Sequence, residues 1–268
     1  MDGIATYPKH NRSTVRRLRD RARYDFATVH AIFNQASFIH VSFLPTDPST
    51  DQFPTILPML GAMGSFENPI ADPAIEPFDL YIHGHASSRL MKLPGSDLAA
   101  DHPEGLPVCV AATILDGIKL ALTPFNHSCN YRSAVLHGYA NAVTDEEEKD
   151  WAMRLITDNL IPNRWDNSRV PPTKAESQVT SVLRINIVSA SAKINTGPVS
   201  DDRGNDLQND EITSRVWIGV LPVWEHIGPP IESKTNKVTP VPEYLSDWMQ
   251  GQNISRGEHA FRAASEKM

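Results

Sequence analysis

Apolar residues along this chain recur mostly at every second position, in short runs separated by proline and small polar residues. In Phe38 to Phe43, Ile39, Val41 and Phe43 share one side while His40 and Ser42 take the other, the period of a half-buried strand. Phe78, Leu80 and Ile82 alternate in the same way with Asp79, Tyr81 and His83. Val108 to Leu115 and Ile118 to Leu122 flank Asp116-Gly117, a dipeptide that predicts a tight hairpin turn. Ser133 to Val143 and Val182 to Val188 read as further strands, and Arg215 to Val223, carrying Trp217, as the last. Phe53 to Leu60 contains Pro54 and Pro58, which cannot donate to a ladder, so that strand belongs at an edge or a bulge.

The helical period is rarer. Tyr24 to Ala36 places Phe26, Val29, Ile32 and Phe33 on one face. Thr144 and Glu147 form a capping pattern ahead of the stripe Trp151, Leu155 and Ile156, and Pro162 stops that helix. Thr173 and Glu176 repeat the pattern for a short helix, and another starts at Ser87 or Ser88 and ends before Pro94. Strands with helices between them imply a mainly β, α+β chain with one barrel-like domain. The expected boundaries are a basic arm over residues 1–24, the domain over 25–224 and an extension over 225–268. Thr196 to Ser214 is expected to be an exposed loop. In the extension, Tyr244, Leu245, Trp248 and Met249 are expected to form one docking turn, in a tail that wraps a neighbouring subunit or is loosely ordered.

Composition narrows the function classes. Hydrophobic residues make up 40%, enough for a core. No apolar run reaches the length of a membrane helix, and no secretory signal is visible. Two cysteines, Cys109 and Cys129, fit a reducing cytoplasm and lack zinc-ligand spacing. A net charge of −7 argues against general nucleic-acid affinity. The local exception is Arg12, Arg16, Arg17, Arg19, Arg21 and Arg23, a solvated arm on one reading and an RNA- or phosphate-binding arm on the other. A nucleophile elbow, a Walker loop and a dinucleotide fingerprint are absent from the sequence.

Two segments carry candidate chemistry. His83-Gly84-His85 puts two imidazoles on one strand face. They read as a weak metal pair, as ordinary solvated or capping histidines, or with His83 at the edge of a cofactor pocket. Ser87-Ser88-Arg89 follows, small hydroxyls and a guanidinium fork matched to phosphate oxygens, or simply a helix cap beside a surface arginine. The second segment is Phe125-Asn126-His127-Ser128-Cys129-Asn130-Tyr131-Arg132-Ser133. Its polar groups enter a buried strand, and buried donors need partners. A flavin ring with carbonyl oxygens and ring nitrogens is one such partner; a carboxylate paired with Arg132 is the other.

The segments Tyr81 to Leu90 and His127-Ser128-Cys129-Asn130-Tyr131-Arg132-Ser133-Ala134-Val135-Leu136-His137-Gly138 resemble the FMN-binding split-barrel superfamily, whose namesake is pyridoxine 5′-phosphate oxidase. The resemblance extends to Arg164-Trp165, Pro171-Pro172-Thr173, Ser191-Ala192-Lys193 with Gly197-Pro198, and Trp217 to Pro222. It is closest to the flavin-nucleotide-binding branch that includes Nim-type nitroimidazole-resistance proteins. It implies a six-stranded split β-barrel with flanking helices, a homodimer, and FMN at the dimer interface. Carried over by position, Ser87, Ser88 and Arg89 approach the phosphate, and Thr55, Ile56 and Leu57 line the ring edge. Tyr131, Arg132 and Ser133 reach ring or phosphate, and Trp217 closes the pocket. His83 occupies the place of the histidine implicated in activity in Nim-type relatives. An arginine-rich substrate motif at the end of the barrel is missing, so pyridoxal phosphate production is not expected.

With this resemblance the readings converge on an FMN-dependent oxidoreductase of the cytoplasm, acting on a small molecule with NAD(P)H as the candidate reductant. In it His83 moves a proton and Arg132 stabilises negative charge. Two alternatives stay open: a flavin-binding protein without turnover, and a haem-binding split barrel with His83, His85 or His137 as axial ligand.

Overall fold

The computed structural model describes residues 4–45, 51–95, 102–200 and 207–267. Their contacts divide the chain into two units, one of residues 1–113 with 133–193 and one of residues 114–132 with 194–268. Three long strands, β6 (Leu106–Leu120), β7 (Ser128–Ala142) and β8 (Thr180–Asn195), begin in one unit and end in the other.

In the first unit, β1 (Ala22–Arg23) pairs with β8 at Lys193 and Ala192. β2 (Ile39–Phe43) pairs antiparallel with β3 (Thr55–Met59) and with β6. β4 (Gly61–Gly64) pairs with β5 (Asp79–His85), which pairs with β8. The hydrogen-bonded order is β3-β2-β6-β7-β8-β5-β4. β3 therefore lies at an edge, as its prolines require, with Pro58 opposite His40. Gly138 is needed where β7 meets β8, because a Cβ there would strike the Asn186 carbonyl.

The alternating positions become the core. Ile39, Val41 and Phe43 are buried with Leu80, Ile82, Leu136, Leu183 and Ile185. Helix α1 (Phe26–Gln35) adds Val29, Ile32 and Phe33, and its Asp25 cap accepts from the Thr28 N–H. Tyr7, from the N-terminal arm, is 3% exposed and joins this core. α2 (Arg89–Lys92) is a single short turn, and α3 (Glu146–Leu160) packs Ala152 and Ile156 against Tyr81 and Val182. The cap of α3 is Asp145 rather than Thr144, one residue later than the capping pattern suggested, with Asp145 accepting from the Glu148 N–H. α4 (Lys174–Val179) carries the expected Thr173–Glu176 box with both bonds formed.

The second unit corrects more of the sequence reading. Asp116-Gly117 is not a turn: β6 runs straight through it, and the chain reverses later, around the 3-10 turn Pro124–Asn126. Gly117 instead lies opposite Pro222, where β9 (Gly219–Pro222) pairs with β6. The last strand is thus shorter than Arg215 to Val223. The number of strands is nine rather than six among the described residues; Gly61–Gly64, in which no strand was expected, forms β4, and the two-residue β1 pairs with β8.

The expected loop at Thr196 to Ser214 begins with a buried Thr196 and includes the short α5 (Asp210–Thr213); residues 201–206 lie outside the described residues. The tail forms α6 (Glu243–Ser265), a 23-residue helix rather than one docking turn. Its Ala260 and Ala263 are fully buried within the unit. Among the described residues no helix is long and apolar enough to cross a membrane.

Candidate functional site

The first unit holds one group of the predicted site residues. β5 ends at His85, and the chain turns through Ala86-Ser87-Ser88 into α2, so Arg89 stands at the start of a helical turn. Arg89 is exposed; its guanidinium donates to the Thr55 hydroxyl on β3 and lies 5.6 Å from the Phe43 ring centre. The chain thereby brings together the serine–arginine segment and the Thr55 strand, which lie more than thirty residues apart. Ile56 is 59% exposed and Leu57 packs on the core, so β3 presents apolar edge and backbone beside a cation and hydroxyls. Such a set can hold a phosphate and an adjoining flat ring.

His83 shares a strand face with Tyr81 and is half-buried. Its Nδ1 is buried without a hydrogen-bond partner among the described residues, and burial pushes its pKa down, so the imidazole is neutral near pH 7. A neutral ring with an orphaned nitrogen is suited to exchange a proton or accept a donor. His85 differs: its Nδ1 accepts from the Ser87 N–H at 3.1 Å and lies 2.7 Å from the Ser87 hydroxyl. That places the proton on Nε2 in the neutral form. Ser133, also in this unit, donates to the Lys193 carbonyl at 3.2 Å.

Tyr131, Arg132 and Trp217 belong to the second unit. There the polar segment found its partners inside the protein. Asn130 has no exposed surface; its Nδ2 donates to the Ala263 carbonyl at 2.8 Å and to the Gly197 carbonyl at 3.2 Å. Gly197, at φ +86° where glycine is favoured, donates its own N–H to Ala263 at 2.7 Å. Arg132 forms a two-pronged pair with Asp116, Nε to Oδ2 at 2.9 Å and Nη2 to Oδ1 at 2.8 Å. His259 of α6 brings Nε2 to 3.6 Å from the same carboxylate. Burial alone would raise the Asp116 pKa, but the nearby His259 and the bonds from Arg132 outweigh it and hold the carboxyl below its ordinary value. Lys119, almost fully buried, donates to the Thr196 carbonyl at 3.1 Å. Trp217 is 62% exposed, and its indole lies against Gly219, where a Cβ would collide with the ring.

Of the two partners open to Arg132 from sequence, the carboxylate is the one the fold supplies. Asp116, His259 and the helix carrying His259 were missed. The available signal was an acidic residue inside an apolar run, read as a turn because glycine follows it.

The sheet is mostly antiparallel, with a hydroxyl–arginine cluster at the end of one of its strands. The sequence model of the pyridoxamine 5′-phosphate oxidase family matches residues 25–194, and the chain belongs to that family. The flavocytochrome Anf3 of Azotobacter vinelandii is 29% identical, with a TM-score of 0.68 over 89% of this chain and 97% of that one. An FAD- and haem-binding protein of Mycobacterium smegmatis is 25% identical, with a TM-score of 0.65 over 85% of this chain and 97% of its own. A candidate 5-nitroimidazole resistance protein of Bacteroides thetaiotaomicron is 18% identical at a TM-score of 0.45, covering 65% of this chain and 86% of its own. No curated protein matches.

Proposed function

We propose that this chain is a flavin-binding oxidoreductase that takes FMN as its cofactor and acts on a small organic molecule. The observation that carries the reading is the junction of Arg89 with Thr55, flanked by Ser87 and Ser88, a cation and three hydroxyls arranged at a solvent-facing strand edge. Flavin and haem in the two proteins similar over most of this chain support it. The flavin would supply reversible hydride or electron transfer. The protein's residues hold it: Arg89, Thr55, Ser87 and Ser88 at the phosphate, and Ile56 and Leu57 along the ring edge. Ser133, of the same unit, completes the proposed set there; Tyr131 and Trp217, of the second unit, are proposed from the resemblance alone. His83 moves a proton, its burial keeping the imidazole neutral and ready to accept one. Arg132, committed to Asp116, would act on a flavin only with its fork already occupied. The proposal also includes a cytoplasmic homodimer reduced by NAD(P)H; the exposed Trp217, Ile218 and Leu221 of the second unit support self-association.

Absorption spectroscopy of the purified full-length protein, with mass identification of what acid releases, is the test. Flavin bands with released FMN are expected, and Arg89→Ala should lower FMN retention at least about tenfold, the loss of one charged phosphate contact. His83→Ala should keep FMN and lose NAD(P)H oxidation. A protein that neither carries nor takes up a flavin ends the reading.

A second reading, haem binding, is favoured by the same two similar proteins. His83 and His137 each have a buried Nδ1 without a partner among the described residues, whereas the Nε2–H form of His85 makes it the poorest ligand of the three. A Soret band lost in His83→Ala or His137→Ala would establish it.

A further inference from the structure

In the first unit, α3, residues 161–172 and α4 line a half-open cavity of about 240 Å³ that none of the proposed flavin residues lines. Met153, Trp165, Val170 and Pro172 provide its apolar walls. Its volume is below that of a typical cofactor pocket, so it suits one ring with a short substituent rather than a nucleotide.

The walls are fixed by bonds of their own. The Lys149 ammonium donates to the Ser177 carbonyl at 2.8 Å, tying α3 to α4. Arg169 binds the Glu176 carboxylate and donates to the Pro171 carbonyl at 3.1 Å, and Glu176 also closes the capping box with Thr173. The Trp165 N–H donates to Asp158 at 2.8 Å, and Arg154 pairs with Asp166. A slot held this way loses little freedom when something enters it, which favours binding by a small molecule.

Its charges are unevenly committed. Four ionic side chains line it: Lys149, Asp150, Arg169 and Glu176. Lys149, Arg169 and Glu176 have the partners just described. Asp150 is exposed and has no partner among the described residues. The ionic group without a hydrogen bond among the described residues is therefore an acceptor, and the lining also holds an indole, which attracts cations, and a thioether, which packs well on rings. We infer that this slot is a second binding site, for a small flat aromatic molecule bearing an amine: the ring lies between Trp165 and Met153, and the amine meets Asp150.

The test uses the full-length protein and three probes of similar size, benzylamine, benzyl alcohol and benzoate, with binding followed by ligand-observed NMR. Benzylamine should bind about threefold more tightly than benzyl alcohol, as one exposed ion pair allows, and benzoate most weakly. Asp150→Asn, an exposed change that leaves the fold intact, should bring benzylamine down to benzyl alcohol. Met153→Trp, with folding checked by its melting curve, should fill the slot and abolish binding of all three. Benzoate binding as tightly as benzylamine overturns the inference, as does an unchanged benzylamine preference in Asp150→Asn. No binding of any probe at millimolar concentration overturns it too. Should Met153→Trp fail to fold, the Asp150→Asn comparison decides alone. None of these results depends on flavin content, so a failed flavin reading leaves the test intact.

Discussion

The two segments that looked most like cofactor ligands are used in opposite ways. In the first unit, Ser87 and Arg89 face solvent with the half-buried Ser88 between them, and Arg89 makes one hydroxyl contact and one ring contact. In the second, Asn130 and Arg132 are buried or nearly so, and their donors are engaged by Ala263, Gly197 and Asp116. Both segments are polar stretches next to strands. What separates them is whether their donors are already engaged by the chain. A satisfied buried donor stabilises the fold, whereas an exposed cation beside hydroxyls is available to a ligand.

The sharpest way to break that contrast is Asp116→Ala. It leaves the Arg132 guanidinium, only 16% exposed, without its carboxylate, and should cost about 3–4 kcal/mol in chemical denaturation. A loss below about 1 kcal/mol would show that Arg132 is not anchored structurally and is available to a ligand after all.

Next in size is an acid-dependent loss within the first unit, which shows how that unit handles polar groups buried away from the candidate site. His30 is 1% exposed, stacked between Phe26 and Phe78, with Nε2 at 2.7 Å from the Tyr7 hydroxyl. Burial pushes its pKa down from 6.5 to about 4, so the unfolded chain binds the proton first. Its stabilising contribution is complete above pH 6.5 and fades as pH falls to about 4, by about 3 kcal/mol in all. Asp79 works against it. Burial raises that carboxyl from 3.8 to about 6, so its contribution is greatest at low pH and is lost as pH rises through 6. The difference in unfolding free energy between wild type and His30→Phe, followed from pH 7 to pH 4, isolates the histidine. A difference that does not change with pH would mean that His30 is protonated as easily in the folded chain as in the unfolded one.

Asn130→Ala should cost about 2 kcal/mol and, more tellingly, release the end of α6. Hydrogen exchange at residues 255–265 should accelerate while the first unit stays protected. Equal protection in variant and wild type would place the anchor of α6 elsewhere, on the Asn253–Ile227 bonds or the Trp224–Phe261 contact. The smallest expected change in stability is that of Arg89→Ala, within about 0.5 kcal/mol, since the side chain is exposed. Its effect should fall on FMN retention instead. A large loss of stability there would remove the contrast between the two segments.

Much of the fold was legible because it follows from local periodicity. The alternation at Ile39, Val41 and Phe43 became a strand face with all three residues buried, and the prolines of Phe53 to Leu60 put β3 at an edge. The Thr173–Glu176 box formed as written. Asp116-Gly117 misled because a turn dipeptide and a buried ion pair beside a close strand contact have the same letters. The long helix at the C-terminus was hidden by its weak apolar stripe: Gly257, Ala260 and Ala263 bury it through small side chains, which periodicity weights little.

The sequence by itself determined the strand-rich class, the family resemblance, and the residue types able to hold a phosphate or move a proton. Those follow from side-chain chemistry and from spacing along a strand, both local properties. The tertiary structure decided which of those residues have uncommitted hydrogen bonds. It set Arg89 against Thr55, gave Arg132 to Asp116, and closed Asn130 on a helix carbonyl at Ala263, 133 residues away. A donor's availability depends on what lies within hydrogen-bonding distance of it, and only the folded chain sets that distance.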